Sequence, residues 1–469
     1  MKKAGITLGA FCAIILFLVA CPRSGKEDTA GGPLSAGWQV PVEVADTPNA
    51  TQPDYYQLGW QSFVALNWPA NMSYRGEPDT SKSIGAAGDD GQLQEVVWES
   101  WKEQYDIFLP DAANPGPWNP AYSGAHPALK VLRMFSKNDS SRVLDAFNEA
   151  TGNPVIDQDS QFVRYEVRVD QSEYTYFVTN SYYNQDSQLT AVQQDRFVGF
   201  PKGNVQSPDL PSWAQYGATE VKAAWRIFKP GTPSSILDRY YHEKALLIDQ
   251  YGVRSDTVEI GMVSMHILRL TPTTGSTWYW ASFEQVDNLK LQPSYGGTLP
   301  PHPTFNTNPA QLYGDSGFSY KPAPVAYRKP LPSAVPVGIS SPPFEQSNPG
   351  LDSINMEYHK KLSNTPFQYY QLIGTINPPV SGQPSYTDSS SGAPSVTVNT
   401  PLMSNSAMET YICQSNCITC HMFGFPFTPN QRYNTSSLQV FTFLPSMAKS
   451  SSQYKLKKIQ FVKPRVIKN

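Results

Sequence analysis

Charge is scarce in this chain. Only 16% of its 469 residues are charged, 36 basic against 39 acidic for a net charge of −3, and no basic stripe exists to neutralise nucleic-acid phosphates, so that class of partner is excluded. Cysteine is scarcer, five in all. Long apolar runs are missing too: Ile6 to Ala20 is an uncharged, mostly apolar stretch of 15 residues, short of a comfortable transmembrane helix. No Gly-rich phosphate loop, HExxH string or GxSxG elbow occurs, and nothing supports nucleotide binding or hydrolysis.

What the chain does have begins at residue 1. Lys2 and Lys3 precede the apolar run, and Leu18-Val19-Ala20-Cys21 closes it with small residues, the pattern of an export signal. It resembles the bacterial lipoprotein signal, in which the cysteine becomes the lipidated first residue; an ordinary secretory peptide with an incidental Cys21 is the alternative. On the first reading residues 1–21 are a signal peptide, Cys21 carries the lipid anchor, and the mature chain has a net charge of −5, two lysines having left with the signal.

Near the other end stands Cys417-Ile418-Thr419-Cys420-His421. Two thiols three positions apart can add to the two vinyl groups of one haem while the next residue offers an imidazole to the iron, so the spacing predicts one covalent haem c on Cys417 and Cys420 with His421 as proximal ligand. Export supports it, because in bacterial systems this attachment is made outside the cytoplasmic membrane. Cys413 leaves two other readings open. Cys413-x3-Cys417-x2-Cys420 has the spacing of a radical-enzyme iron–sulfur motif, although too little chain follows for a barrel, and three cysteines with His421 are a possible zinc set. With haem on the other two, Cys413 is a free thiol, expected to be buried.

Between the ends, 26 tyrosines, 42 prolines and 31 glycines favour strands, turns and long connections over a helical bundle, and aromatics at 12% supply a sizeable core. Residues 22–53 are small, polar and patternless and read as a flexible tether; 54–469 read as one globular domain with the haem segment at about 404–447. Helical spacing appears at Gln57 to Leu66 and Glu95 to Phe108, and a helix is expected from Ser404 to Tyr411. Strands are expected at Phe162 to Val169, Glu173 to Asn180 and Val221 to Phe228, with the strongest hairpin formed by Thr257 to Leu270 and Thr277 to Val286. Gly85 to Gly91 reads as a loop, Ser381 to Ser395 as a serine-rich one, and Pro293 to Pro349, with 13 prolines, as a long coil packed over the body. The expected fold class is α+β, an antiparallel sheet with a few helices, that coil and a C-terminal haem segment.

Several strings resemble a known group. Trp60-x-x-Phe63-x-Ala65-Leu66-Asn67-Trp68-Pro69, Trp98-x-x-Trp101, Trp280-x-x-Phe283-Glu284-x-Val286-Asp287-Asn288 and Met408-Glu409-Thr410 ahead of the haem motif are similar to bacterial single-haem cytochrome c family proteins, a group without a settled reaction. Two positions depart: Gln285 stands where the resemblance implies histidine, and Cys413 is additional.

The second iron ligand has several candidates. His266, alone among the histidines in a strongly apolar strand, is the first choice for the distal position, against a hydrogen-bonded core role. Met447, Met403 and Met408 are thioether alternatives that otherwise fill the core. Met422 adjoins the proximal ligand and cannot readily reach the opposite face; His126, His242, His302 and His359 read as surface residues. The acids Glu99, Glu284 and Asp287 read as turn caps, with proton handling near the iron as the alternative. Leu66, Trp68 or the 258–286 hairpin is expected to help bury the ring. The expectation is a lipid-anchored cytochrome facing the periplasm or cell surface, an electron carrier or redox subunit working with a partner protein. A haem enzyme or gas or peroxide sensor with an open iron is the alternative.

Overall fold

A computed structural model describes residues 34, 37–44, 49–89, 91–122, 130–133, 155–204, 212–248, 254–274, 277–288, 303–305, 349–380, 386–388, 395–399, 403, 405–409, 417–426, 438 and 440–452. The signal with Cys21, the first part of the tether, Cys413, His126, His302 and most of the proline-rich coil lie outside them.

The described chain opens with α1 (Gln52–Leu66), then β1 (Lys102–Glu103), α2 (Gln104–Ile107), β2 (Lys130–Arg133), β3 (Arg164–Val169), α3 (Gln171–Thr179), α4 (Gln185–Gln193), β4 (Thr219–Ile227), α5 (Ser234–Leu237), β5 (His242–Ile248), β6 (Arg254–Arg269) and β7 (Tyr279–Gln285). It continues through α6 (Pro349–Lys361), β8 (Tyr370–Ile376), the small β9–β10 hairpin (Tyr386–Asp388 and Val396–Val398) and α7 (Cys417–His421). The fold is α+β. One mostly antiparallel sheet of eight strands runs β1-β3-β4-β6, after which the second edge of β6 is shared: its first half pairs β5, which carries β2 in parallel, and its second half pairs β7, which carries β8. No described helix is long and apolar enough to cross a membrane.

Period-two alternation sorts the strand residues onto two faces. Paired across β4, β6 and β7 are Lys222, His266 and Ser282 on one face, and Ala223, Met265 and Phe283 on the other. The second face is covered by α1. Asp54 accepts from the Thr51 backbone N–H at 2.7 Å to start that helix, and mid-helix Gly59 lets it lie close, because a Cβ there would sit 2.9 Å from the Tyr279 hydroxyl and 3.3 Å from Ala281. Phe63 stacks on Phe283 at 4.3 Å, and Trp60 lies between Phe283 and Tyr358 of α6, at 5.0 and 4.7 Å. Each fully buried ring of this set contributes about 1.5–3 kcal/mol. Farther along, Lys130 is enclosed by the carboxylates of Glu99, Glu166 and Glu243 and by the faces of Trp98 and Trp225.

Three elements differ from the sequence expectation. Glu173 to Asn180 belongs to a helix, α3, because Asp170 accepts from the Glu173 N–H at 2.8 Å and caps it, while Tyr174 and Phe177 bury one turn apart. Glu95 to Phe108 breaks into a 3₁₀ turn over Val97–Ser100, β1 and the single turn of α2; all four residues of the 3₁₀ turn are buried, which leaves no solvent face for a long helix. Within the helix expected from Ser404 to Tyr411, residues 405–409 form a single turn, with the Met408 and Glu409 amides both on the Asn405 carbonyl. The tether is shorter than its composition suggests: Val44 is buried, and Arg269 donates to the Pro41 carbonyl. Phe305, in the described part of the proline-rich coil, is buried with its amide on Asn288.

Candidate functional site

The first face of the sheet receives the segment leading to the haem motif, and it does so through buried polar contacts. The Asn405 side chain accepts from Ser264 Oγ at 2.7 Å and donates to Ser282 Oγ and the Phe283 carbonyl, each at 3.1 Å. The Glu284 carboxyl accepts from Ser406 N at 2.6 Å and Ser406 Oγ at 2.9 Å, and Tyr165 donates to the Ala407 carbonyl at 2.6 Å. All of these side chains are buried, so each bond removed would leave an unpaired polar group, a loss of about 1–3 kcal/mol. Of the acids, Glu99 does cap its turn, accepting from the Val96 N–H at 3.3 Å, and it also reaches Lys130 and Tyr241; Glu284 instead fastens the 405–409 turn to β7, and Asp287 forms a two-bond pair with Arg239 at 2.5 and 2.6 Å.

The motif itself is the short helix α7. Cys417 and Ile418 are buried, and Cys420 is exposed at the edge. His421 Nδ1 lies 2.9 Å from the Phe441 carbonyl oxygen, which fixes the ring and leaves Nε2 without a hydrogen bond among the described residues. Two local features deliver that carbonyl. Phe441 adopts φ +55°, the left-handed region uncommon for a non-glycine residue. Gly424, whose amide closes a turn on the His421 carbonyl, accepts the backbone of 440–442 against it so closely that a Cβ would sit 2.7 Å from the Thr442 oxygen. The His421 ring packs against Trp280 at 5.8 Å and Phe443 at 5.1 Å.

His266 lies on the same face, paired with Lys222 and Ser282. It is 5% exposed, and its Nε2 has no hydrogen-bond partner among the described residues; Glu409 Oε2 is 3.6 Å away. Burial, then the Lys222 ammonium and His421, push its pKa down to about 3, and burial pushes His421 down to about 4 against the opposing bond to Phe441. Both rings are therefore neutral near pH 7, the form that binds iron. The donor set suits a c-type haem: two cysteines on one helical turn, an imidazole oriented through Nδ1, and on the facing side of the sheet a second neutral imidazole whose Nε2 has no hydrogen-bond partner among the described residues. Among the described residues no cluster of three or more His, Cys, Asp or Glu side chains is arranged to hold a bare metal ion.

The other candidates fall elsewhere. Met403 lies beside Gly374 in the main core, which Met447 flanks, and Met408 belongs to a small satellite core. His359 is half-buried, its Nε2 2.7 Å from the Tyr370 carbonyl oxygen. His242 pairs with Glu259 at 2.7 Å. Gln285 is buried and donates to the Arg239 carbonyl. Of the elements expected to cover a haem, the 258–286 hairpin lies on the right face, whereas Leu66 and Trp68 belong to the α1 side. Sequence reasoning missed Asn405, Ser406, Gly424 and Phe441; only Gly424 carries a local signal, a glycine just after the motif.

Glu284 gives the site a pH signature. Burial raises its pKa to about 7, opposed by the bonds from Ser406. Between about pH 4.5 and 7 the folded chain holds a proton that the unfolded chain has released, so this carboxyl lowers stability as pH rises through that window, by roughly 3 kcal/mol in full. His266 and His421 act oppositely, with stability lost as pH falls below about 6.5 toward their depressed values. Glu284→Gln, which keeps a neutral acceptor, is expected to melt with a smaller fall between pH 5 and 8 than the parent and to be the more stable of the two at pH 8. An unchanged pH dependence in thermal melts would contradict the assignment.

No family model matches the chain, and neither the search of curated proteins nor that of solved structures returned a match.

Proposed function

We propose that the chain is an exported, lipid-anchored c-type cytochrome that carries one covalent haem and exchanges electrons with a partner protein in the periplasm or at the cell surface. The observation that carries this reading is the bond from His421 Nδ1 to the Phe441 carbonyl directly after Cys417-x-x-Cys420, which orients a neutral imidazole with Nε2 unbonded among the described residues. When bound, a haem c supplies one-electron cycling of its iron. Cys417 and Cys420 would hold it by thioether bonds, and His421 and His266, whose Nε2 has no hydrogen-bond partner among the described residues, would offer imidazoles to its iron. Trp280, Ile418 and Met422, all buried, exclude water around the proximal ring.

The edge carrying Cys420 is where a partner would dock. Cys420 is exposed there, and the two large apolar side chains left most accessible along α7 and its return are Phe423 and Phe443, at 39% and 44%. An apolar rim at an exposed haem edge suits a small, transient electron-transfer contact. The anchor at Cys21 would hold the protein at a membrane surface while the body remains free to meet such a partner.

A two-histidine iron gives a low-spin spectrum without the weak red absorption of a methionine ligand. His266→Ala is expected to turn the iron high-spin and let it take up carbon monoxide readily; a variant spectrum matching the parent would remove His266 from the ligand set. A parent protein that is already high-spin and binds carbon monoxide would favour the haem enzyme or sensor over the carrier. Cys21→Ser is expected to move the protein from the membrane to the soluble fraction, and unchanged partition would show that lipid is not the anchor.

A further inference from the structure

Two buried carboxyl groups meet between α3 and β4. Glu173 is 0% exposed and Glu220 5%, and with both ionised Glu173 Oε1 and Oε2 and Glu220 Oε1 find no hydrogen-bond donor among the described residues. Burial lifts Glu173 well above the usual carboxylate range and Glu220 to about 7; the carboxyl of Glu173, kept protonated, donates to that of Glu220. Two like charges in contact away from water cannot both persist, so the pair keeps one proton at neutral pH, and its titration belongs to both groups together.

The pair lies beside the wall that holds His421. Glu220 stands two residues before Lys222 and shares its face of the sheet, and the strand register sets it in one row with Leu268 of β6 and Trp280 of β7. Trp280 is the ring packed on His421 at 5.8 Å. The Thr442 hydroxyl donates to the Glu220 carboxylate, and Thr442 directly follows Phe441, whose carbonyl meets His421 Nδ1. Other charges around the pair are few. Asp170 repels Glu173 from the cap of α3, and the Arg269 guanidinium in turn acts on Asp170. Lys222 favours the ionised form of Glu220, while the Tyr176 hydroxyl is held neutral by burial. The 440–448 return contributes no charged side chain.

We propose that Glu173 and Glu220 form a redox-linked proton site: the pair takes up one proton from water as the iron gains one electron from the partner protein, passing from one shared proton to two, and releases it on oxidation. This rests on the haem reading. An added electron makes the site more negative by one charge, and in an interior of low dielectric that raises the proton affinity of nearby carboxyls; the proton then cancels the charge. Buried carboxyls exchange protons with water through local opening.

Potentiometric titration of the haem-loaded protein at a series of pH values, followed by its visible spectrum, tests the coupling. An ionised pair favours ferric iron, so the midpoint potential of the parent is expected to fall as pH rises through a window near 7, approaching tenfold per pH unit, or about 59 mV. Replacing both acids, Glu173→Gln with Glu220→Gln, leaves two amides able to bond each other and is expected to remove that part of the slope and to give the higher potential at pH 8. Asp170, Glu284 and Glu409, which burial also raises to about 7, remain in the variant, so the difference between the two proteins isolates the pair. Glu173→Gln alone, whose amide would donate to an ionised Glu220, should move the window to lower pH, and it decides the matter if the double variant fails to fold. Reduced-minus-oxidised infrared spectra near pH 8 supply a second readout: a protonated-carboxyl band that grows on reduction in the parent and is missing from the double variant. A reversible couple with the same slope in parent and double variant, a window unmoved by Glu173→Gln, or no such band in the parent would overturn the proton site and leave the cytochrome standing. A chain without covalent haem would overturn both.

Discussion

The arrangement around the CxxCH motif depends on one hydrogen bond, between His421 Nδ1 and the Phe441 carbonyl at 2.9 Å. It selects the tautomer with Nε2 unprotonated and turns that nitrogen away from the backbone, and it requires the return segment 440–448 to lie beside α7. The chain accepts local strain to make it: a left-handed phenylalanine at 441, and a glycine at 424 where any side chain would separate the two strands of backbone. Without that carbonyl the imidazole would lose the bond that sets its tautomer, while Cys417, Ile418 and Met422 would still hold the short helix in the core.

The sheet supplies the opposing wall by an unusual route for an interior. Most of β6 is buried, yet Ser264 and His266 lie on one face with Ser282 and Glu284 of β7, a polar row that binds the 405–409 turn through Asn405 and Ser406. Such a row is worth little as net stability, because its bonds replace bonds to water, but it admits one register only: shifting the segment by a residue would leave several buried groups unpaired. The hydrophobic energy of folding is concentrated on the other face, in the Trp60, Phe63 and Phe283 contacts of α1. The two faces thus divide the labour, one supplying cohesion and the other position.

Much of the scaffold could be read from the sequence because its signals are local. The β6–β7 hairpin announces itself by alternation around a Thr-Pro-Thr-Thr-Gly-Ser turn, and α1 by the spacing of Trp60, Phe63 and Val64. The failures share a cause, which is long-range burial. Glu173 to Asn180 reads as a strand until Asp170 caps it as a helix, and Val97 to Ser100 loses its helical periodicity because tertiary contacts bury all four residues, Glu99 included, beside Lys130. In the candidate site, Cys417, Cys420 and His421 are legible because they fall in one five-residue string whose spacing is that of a haem-attachment motif. Asn405 and Phe441 are not, since one acts through strands more than a hundred residues away and the other only through its backbone carbonyl.

Everything proposed for the first face of the sheet rests on haem being attached to Cys417 and Cys420. The direct measurement is the intact mass of the denatured protein after acid–acetone extraction, from cells able to mature c-type cytochromes. The account predicts a chain heavier by one haem that keeps its colour, with the increment lost when both cysteines are replaced by alanine. Pigment passing wholly into the solvent, or an unmodified mass for the wild-type chain, would contradict it.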